Sequence, residues 1–161
     1  MKPLIRPFST TDLAEIVQLS ILAWEPVFHS FRQVLGTAIY THIYPDWQTI
    51  QKEAVTAVCQ DVAKYTTLVA EVAGHVVGFL AYELNHTEQT GEVYMLAVHP
   101  AYQKQGIGTS LNTLALAEMK ERGMKLAVVG TGGDPGHAPA RKAYEKVGYT
   151  ALPLVRYYKD L

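Results

Sequence analysis

A short stretch from Glu92 to Ser110 constrains the fold of this chain more than any other part of the sequence. It opens with an apolar run, 93–98, whose composition suits a buried strand. A glycine turn follows at 103–109. Beyond the turn, apolar residues recur at the spacing of a helix with one apolar face, namely Ile107, Leu111, Leu114, Ala115 and Met119. The sequence therefore predicts a strand, a tight turn and a helix in direct succession.

The turn has the features of a binding site for an anionic phosphate group. The first N–H groups of a helix lack partners within the helix, and the positive end of the helix dipole adds to their attraction for anions. Gly106 and Gly108 carry no side chain that would hold a phosphate away from the backbone. Glycine is also common in plain strand-to-helix turns, so the flanking Gln103, Lys104 and Thr109 strengthen the phosphate interpretation.

Two common phosphate motifs do not fit this turn. The dinucleotide fingerprint G-x-G-x-x-G needs a third glycine where this chain has Leu111, and the P-loop pattern G-x-x-x-x-G-K-S/T is absent. The turn instead matches the pattern Q/R-x-x-G-x-G/A, read as Gln103-x-x-Gly106-x-Gly108. In this it resembles the GNAT superfamily of N-acetyltransferases, in which the turn cradles the pyrophosphate of acetyl-CoA.

The composition indicates one globular domain, which we expect to span residues 1–161. An apolar content of 48% with 18% charged residues is typical of a soluble protein of this length. No apolar run reaches the roughly 18–20 residues of a membrane span, and the first residues do not resemble a signal peptide. The single cysteine, Cys59, lies in a helical pattern and is better explained as a buried core residue than as a nucleophile. We therefore expect a cytoplasmic protein without a membrane partner.

Charge is distributed unevenly along the chain. Residues 1–100 hold 5 Lys+Arg and 10 Asp+Glu, a balance of −5, whereas residues 101–161 hold 9 and 5, a balance of +4. A positive C-terminal half suits an anionic cofactor, and an acidic N-terminal half suits an amine acceptor. No dense basic patch interleaves with aromatic residues, so nucleic acid is not a predicted partner. The histidines at 29, 42, 75, 86 and 99 lack metal-ligand spacing, so we predict no metal.

Periodicity and turn residues predict the order of elements along the chain. The predicted strands are 4–7, 67–72, 76–83, 93–98, 126–129 and 152–158. The first predicted helix runs from about 12 to a break at Pro26. The second runs over 31–43, is interrupted at Pro45 and resumes over 47–63, and the later helices are 107–123 and 138–147. A tight turn at Ala73-Gly74-His75 joins two of the strands.

This order of strand, two helices, three strands, helix, strand, helix and strand resembles that of the GNAT superfamily over essentially the whole chain. The resemblance implies an α/β fold of the α+β kind, with helices on both faces of a central, mixed and mostly antiparallel twisted sheet. It is strongest from Thr66 onward and weakest in the first two helices, which vary across the family and shape the acceptor site. It also implies acetyl-CoA as co-substrate, and it leaves a homodimer open.

The resemblance further implies which residues hold acetyl-CoA. The pyrophosphate would lie on Gln103, Lys104, Gln105, Gly106, Ile107, Gly108, Thr109 and Ser110. The backbone of Leu96, Ala97 and Val98 would pair with the pantetheine arm, at a bulge whose free N–H would stabilise the oxyanion. The last helix resembles the family pattern N-x-x-A-x-x-x-Y-x-x-x-G-F/Y, with His137 where asparagine is usual and Tyr144 at the tyrosine position.

Two residues are candidates for proton transfer. Glu92 lies 11 residues before Gln103, the spacing of the general-base glutamate in histone-type members of the family, although it could equally be a solvated residue at a strand end. Alternation places it on the same strand face as Tyr94, Leu96 and Val98. Tyr144 could give a proton to the departing thiolate, or it could simply pack the last helix on the sheet.

For the acceptor site the candidates are Trp24, Glu25, Phe28, Phe31 and Tyr82, each of which could also be an ordinary structural residue. We predict an N-acetyltransferase that moves acetyl from acetyl-CoA directly to a primary amine of a small molecule or peptide, in a ternary complex. One alternative is a non-catalytic acyl-CoA-binding regulatory module on the same fold. Another is a nucleotide-binding regulator that uses the glycine-rich loop at 130–136.

Overall fold

The computed structural model describes residues 2–161, which form one five-stranded sheet with helices on both faces. The strands are β1 Leu4–Pro7, β2 Tyr65–Val72, β3 His75–Asn85, β4 Thr90–Val98 and β5 Leu126–Val129, and they lie in that order across the sheet. The α-helices are α1 Leu13–Ile43, α2 Trp47–Gln60, α3 Ile107–Glu121 and α4 Ala138–Lys146, with short 3₁₀ turns at 10–12, 100–102 and 135–137. The β1–β2, β2–β3 and β3–β4 pairs are antiparallel and the β4–β5 pair is parallel, which confirms the predicted fold class.

Each face of the sheet carries its own hydrophobic core, because successive strand residues point to opposite faces. On one face α1 and α2 cover the sheet, through Ile16, Leu19, Val55, Cys59, Val69, Phe79 and Ala97. On the other face α3 covers it, through Leu68, Leu80, Tyr82, Val93, Ile107, Leu111, Ala115 and Met119. Cys59 is buried, and burial raises the pKa of its thiol to about 11, which agrees with a packing role. Within residues 2–161 no helix combines the length and the apolarity needed to cross a bilayer.

The predicted hairpin turn is confirmed in detail. Val72 pairs with His75, and the two residues between them adopt left-handed backbone angles, with φ of 52° at Ala73 and 82° at Gly74. A two-residue turn of this kind matches the twist of the flanking strands. Gly123 and Gly148 also have positive φ values, and they follow the ends of α3 and α4 as predicted.

The predicted helix break at Pro26 is wrong, because α1 continues through it to Ile43. Proline removes one N–H donor from a helix and leaves the carbonyl four residues earlier without its partner. Here that residue is Leu22, which is exposed, as is Pro26 itself, so water can reach the freed carbonyl. The interruption in α1 comes instead at Gly36, whose φ of 75° and ψ of 164° are not helical.

The predicted strand at 152–158 is also wrong, because residues 147–161 form no regular element. Leu152 and Leu154 are each 81% exposed and Tyr157 is 89% exposed, so the segment contributes no apolar face to the core. Pro153 in its middle supplies no N–H to a neighbouring strand. A sequence of apolar residues predicts that a strand can form, but a strand also needs a neighbour, and the chain's own sheet ends at β5.

Candidate active site

The sheet opens between β4 and β5, and this opening is the centre of the candidate site. The two strands pair from Thr90–Leu126 to Val93–Val129, and β4 then runs on alone to Val98. On its other side, β3 pairs Ala81 with Met95 and Tyr82 with Val93, so Tyr94 is an extra residue in β4. A bulge of this kind bends a strand and increases its local twist. Within residues 2–161, the backbone edge of 94–98 that faces away from β3 therefore has no strand partner.

The bulge lies at Tyr94, two residues earlier than the expected range of 96–98, and it changes which side chains share a face. Leu96 and Val98 pack with the α3 core, whereas Met95 and Ala97 pack with the α1–α2 core. Strict alternation placed Glu92 on the face of Leu96 and Val98, and this is wrong. Glu92 is directly opposite Glu83 in the sheet, on the face away from buried Tyr82, and its side chain is exposed.

The turn after β4 is preorganised by its own side chains. The Gln103 amide donates to the carbonyl of Val98 at 3.0 Å, and the Gln105 amide donates to that of Ala101 at 3.3 Å. Lys104 and Gly106 both take left-handed backbone angles, with φ of 63° and 82°. The turn therefore closes on itself and leads directly into α3.

The start of α3 leaves room for an anion. Ser110 donates its N–H to the carbonyl of Gly106 at 2.9 Å, so the N–H groups of 107–109 belong to the first turn and have no intrahelical acceptor. A methyl group built on Gly106 would meet no atom within 4 Å, and one on Gly108 would meet only Val98 Cγ2, at 3.8 Å. The backbone is thus open to the outside at both glycines, which suits a pyrophosphate group.

Tyr144 lies on α4, which packs against α3, and it is 8% exposed. Its ring meets that of Tyr149 edge to face, with centroids 5.8 Å apart. Burial, with a smaller contribution from Tyr149, raises the pKa of Tyr144 to about 12, so the phenol is protonated at neutral pH. The Tyr149 hydroxyl is itself buried and has no hydrogen-bond partner within residues 2–161.

A polar cluster that sequence reasoning missed surrounds His137. The Asp134 carboxylate accepts hydrogen bonds from Ser30 Oγ at 2.7 Å and from the Gly136 N–H at 3.0 Å, and it makes a short contact with His137 Nδ1. Arg141 holds the loop by donating to the carbonyls of Gly132 and Asp134, at 2.7 and 2.8 Å. Burial opposes ionisation of Asp134, but the bonds from Ser30 and His137 outweigh it, so the pKa of Asp134 lies below its usual value.

Aromatic side chains from the middle and end of α1, from Tyr44 and from the start of α2 pack beside this cluster. Phe28 stacks on Trp47 with ring centroids 4.3 Å apart, and Phe31 stacks on Tyr44 at 5.3 Å. The Phe31 ring also lies 5.5 Å from the His137 ring. We call Phe28, Phe31, Tyr40, Tyr44 and Trp47 the aromatic cluster.

The structure places two of the other acceptor candidates, Trp24 and Tyr82, in the cores of the sheet and not in this group. Trp24 packs against Phe79 in the α1–α2 core, with ring centroids 6.3 Å apart. Tyr82 is fully buried on the opposite face, where its hydroxyl donates to Glu118 of α3 at 2.6 Å. Glu25 is exposed on α1, one turn before Phe28. Of the five candidates, only Phe28 and Phe31 are brought together.

Of the residues that sequence reasoning missed, Asp134 could have been identified from its local sequence, whereas Ser30 could not. Asp134 stands three residues before His137 and caps a short 3₁₀ turn, and aspartate is a common cap in that position. Ser30 lies 104 residues away from its partner along the chain. Nothing local to Ser30 indicates that contact, which only the folded chain creates.

The chain belongs to the acetyltransferase (GNAT) family, because the model of that family matches residues 30–149. The matched range includes β4, the turn at 103–109 and α3, where the motif residues Gln103, Gly106 and Gly108 lie.

Similar proteins agree with this assignment. Ninety residues are 34% identical to the mycothiol acetyltransferase of Streptomyces bingchenggensis, a match that covers 56% of this chain and 29% of that protein. The chain thus matches less than a third of the length of this curated relative.

Two solved structures share the fold. The PaiA N-acetyltransferase of Thermoplasma acidophilum, solved with coenzyme A, has a TM-score of 0.71 and 17% identity, and the match covers 93% of this chain and 91% of that one. The aminoglycoside N-acetyltransferase AAC(6')-Iy, solved with a CoA-linked bisubstrate analogue, has a TM-score of 0.67 and 15% identity, with coverage of 100% and 99%.

Proposed function

We propose that this protein is an acetyl-CoA-dependent N-acetyltransferase that transfers acetyl directly to a primary amine of a small molecule or peptide. The observation that carries the proposal is the shared location of three features at one end of the sheet. The phosphate turn follows the carboxyl end of β4, the loop to His137 follows the carboxyl end of the parallel strand β5, and the free edge of β4 runs between them. This arrangement suits a long cofactor that enters beside α3 and extends along β4.

The residues present fit acetyl-CoA. The open backbone of the turn at 103–110 would bind the pyrophosphate, with exposed Lys104 as a charged partner. The free edge of Leu96, Ala97 and Val98 offers N–H and carbonyl groups to the amides of the pantetheine arm, as an added strand would. Near the bulge at Tyr94, a backbone N–H of the same edge could stabilise the oxyanion.

Acetyl transfer moves two protons. The acceptor enters as an ammonium ion and loses one proton before its nitrogen can bond to the thioester carbonyl carbon. When the carbon–sulfur bond breaks, the nitrogen loses a second proton and the sulfur gains one. Glu92, directly or through a water, is one candidate for the first proton, and Tyr144 is the proposed donor of the proton that reaches sulfur.

The raised pKa of Tyr144 limits how it can act. An ordinary thiol has a pKa of about 8.5, so a phenol near 12 would protonate the thiolate against a gap of roughly 3–4 pKa units. Donation is therefore expected to be coupled to the second amine proton, which returns to the Tyr144 oxygen. Tyr144 then stays neutral overall and relays a proton from nitrogen to sulfur.

We propose an acceptor that is cationic and has an apolar portion. The aromatic cluster offers flat apolar surfaces and ring faces that attract cations, and exposed Glu25 adds a negative charge one turn away from Phe28. Aminoglycosides, the substrate class in the name of the structural relative AAC(6')-Iy, provide test acceptors.

The alternative is a non-catalytic module that binds acyl-CoA and regulates a partner. The test is release of free thiol from acetyl-CoA with a panel of polyamines, amino sugars, aminoglycosides and peptides with free N-termini. An enzyme gives acceptor-dependent thiol release and an acetylated product of matching mass. Calorimetric binding of acetyl-CoA without thiol release for any acceptor would favour the regulatory module, and binding of ATP in place of acetyl-CoA would favour the nucleotide-binding regulator.

A further inference from the structure

The polar cluster of Ser30, Asp134 and His137 is closely packed, and two glycines in its loop make this packing possible. A methyl group on Gly136 would lie 2.7 Å from Ser30 Cβ and 3.0 Å from Val27 Cα, so the loop can approach α1 only with glycine at this position. Gly132 is just as constrained, because a methyl group there would collide with Asp134 Oδ1 and His137 Nδ1. Two glycines thus allow a carboxylate to be held beside one nitrogen of an imidazole.

We propose that His137 accepts the first proton from the acceptor ammonium through its Nε2 atom, and that Asp134 is the residue that positions it. This inference rests on the proposed acetyl transfer and assigns the proton acceptor within it. The proton leaves the acceptor nitrogen, the Nε2 lone pair takes it, and the resulting imidazolium later returns it to solvent.

The hydrogen bonds fix the state of the imidazole. An ionised carboxylate can only accept hydrogen bonds, so the contact between Asp134 and His137 places the proton on Nδ1. The remaining nitrogen, Nε2, then carries a lone pair when the ring is neutral. The lowered pKa of Asp134 keeps its carboxylate charged, so it remains an acceptor for the Nδ1 hydrogen of His137.

The surroundings of His137 fit a group that meets an acceptor. Its side chain is 16% exposed, so the ring is held firmly but is not sealed off. Phe31 of the aromatic cluster lies beside it, on the side of α1. His137 is the last residue of the 3₁₀ turn at 135–137, directly before α4, and Tyr144 lies on α4 seven residues later. The acceptor of the first proton would thus lie directly before the helix that carries the relay for the second.

The charges around His137 also bear on any pH dependence. The titratable or charged groups on the segments around it include Asp134, Arg141, His29, Arg32, Tyr40, Tyr44, Lys142, Tyr144, Arg156 and Tyr158. The Arg141 guanidinium donates hydrogen bonds to two loop carbonyls, and the Asp134 carboxylate contacts the His137 ring. Burial, with a smaller effect of Tyr158, raises the pKa of Tyr44, so its phenol stays neutral in the range in which an imidazole titrates.

The position of Glu92 supports this assignment. Glu92 pairs with Val128 in the part of β4 that is still joined to β5, before the strands separate. Its carboxylate is exposed near Glu83 at the hairpin end of the sheet. His137 instead lies beyond the carboxyl end of β5, where the cleft is open.

The test compares His137→Asn with the wild-type protein and with His75→Asn, the same substitution at an exposed imidazole at the start of β3. Asparagine can keep a hydrogen bond to the pantetheine arm but cannot accept a proton at neutral pH. We expect His137→Asn to lower kcat/KM for the acceptor by about 100-fold or more and to remove the ascending limb of its pH profile. The Kd of acetyl-CoA should change less than about 3-fold, and His75→Asn should match the wild type.

Two further variants keep the test decisive. Asp134→Asn places an amide beside Nδ1 that can donate to it, which favours the tautomer with hydrogen on Nε2, so kcat/KM should fall about 10-fold or more while acetyl-CoA binding persists. His137→Gln should reproduce the loss if His137→Asn folds poorly, with melting temperature reporting the fold of each variant.

Several outcomes overturn the proposal. His137 is only a pantetheine contact if its variants weaken acetyl-CoA binding and keep the pH profile. Glu92 is the base if Glu92→Gln, and not His137→Asn, removes the ascending limb. A wild-type protein that releases no thiol with any amine refutes the proposed acetyl transfer itself, whereas an active wild type with active His137 variants refutes only the role of His137.

Discussion

Val93 and Val129 are the last pair of residues that join β4 to β5, and the two strands separate directly beyond them. Four residue pairs hold the strands together, and the bulge at Tyr94 then turns β4 away. The edge that this leaves unpaired would be a liability in most sheets, because free N–H and carbonyl groups invite pairing with another chain. In the proposed function, the same groups would pair with the extended arm of the cofactor.

Gly108 is expected to control acetyl-CoA binding. Gly108→Val places a branched side chain where the pyrophosphate would approach the backbone, so affinity should fall at least tenfold, about 1.4 kcal/mol, in calorimetry. Gly108→Ala is the matched control, since its methyl group would meet only Val98 Cγ2 at 3.8 Å. Its loss of affinity should be smaller. A folded Gly108→Val protein with normal affinity would show that the turn is not the phosphate site.

Tyr144→Phe should lower kcat by roughly 10²–10⁴-fold while acetyl-CoA still binds, because the variant removes the relay oxygen and keeps the ring. A tyrosine that only packs would cost at most about 1–2 kcal/mol of stability and little rate. Tyr149→Phe is the matched control, since it removes a buried hydroxyl that has no partner within residues 2–161. Its stability should not fall. Near-normal kcat in Tyr144→Phe would leave water as the proton donor.

Tyr82→Phe should affect stability more than activity. The Tyr82 hydroxyl donates a hydrogen bond to Glu118. It is buried, and burial is the main reason that the pKa of Tyr82 rises to about 12. Its loss should lower the free energy of unfolding by about 1–2 kcal/mol and leave the acceptor KM unchanged within about twofold. Urea unfolding and steady-state kinetics measure the two effects. A higher acceptor KM at unchanged stability would instead indicate that Tyr82 contributes to the acceptor site.

Glu25→Gln should raise the KM of a cationic acceptor by about 2–5-fold, the effect of losing one exposed charge interaction of roughly 0.5–1 kcal/mol. The KM of acetyl-CoA should stay the same, because Glu25 is on α1 and away from the phosphate turn. A neutral amine acceptor serves as the control. Preference for anionic acceptors would contradict the proposed acceptor class.

Acid should weaken the fold through Asp12. Hydrogen bonds from Arg6 lower the pKa of Asp12, although burial opposes them, and the Ser9 N–H lowers it further. A carboxyl whose pKa is lower in the folded state contributes stability above its unfolded pKa of about 3.9, and that contribution disappears as pH falls through the folded pKa.

Asp12→Asn measures this contribution. At neutral pH it should lower the free energy of unfolding by about 1.5–3 kcal/mol, and its difference from the wild type should shrink below about pH 4. Asp160→Asn, on the exposed C-terminal segment, should follow the wild-type curve. A difference for Asp12→Asn that stays constant down to pH 2 would contradict the ionic role of Asp12.

Local patterns were enough to predict most of the fold. The Ala73-Gly74 turn, the glycines that follow α3 and α4, and the strand–turn–helix unit all depend on backbone angles and side-chain spacing within a few residues, and such preferences are present before the chain folds. The same locality explains why Gln103, Gly106 and Gly108 predict a tight turn that leads directly into a helix.

Tertiary structure decided the features that depend on distant partners. Pro26 remains helical because water reaches the carbonyl it leaves free, and residues 152–158 form no strand because no neighbour pairs with them. Tyr82 joined the core because α3 covers its face of the sheet. The contact of Ser30 with Asp134 spans 104 residues, so no pattern within either segment contains it. Composition and spacing determine which elements a chain can form, whereas the side chains that meet in a site depend on how those elements pack.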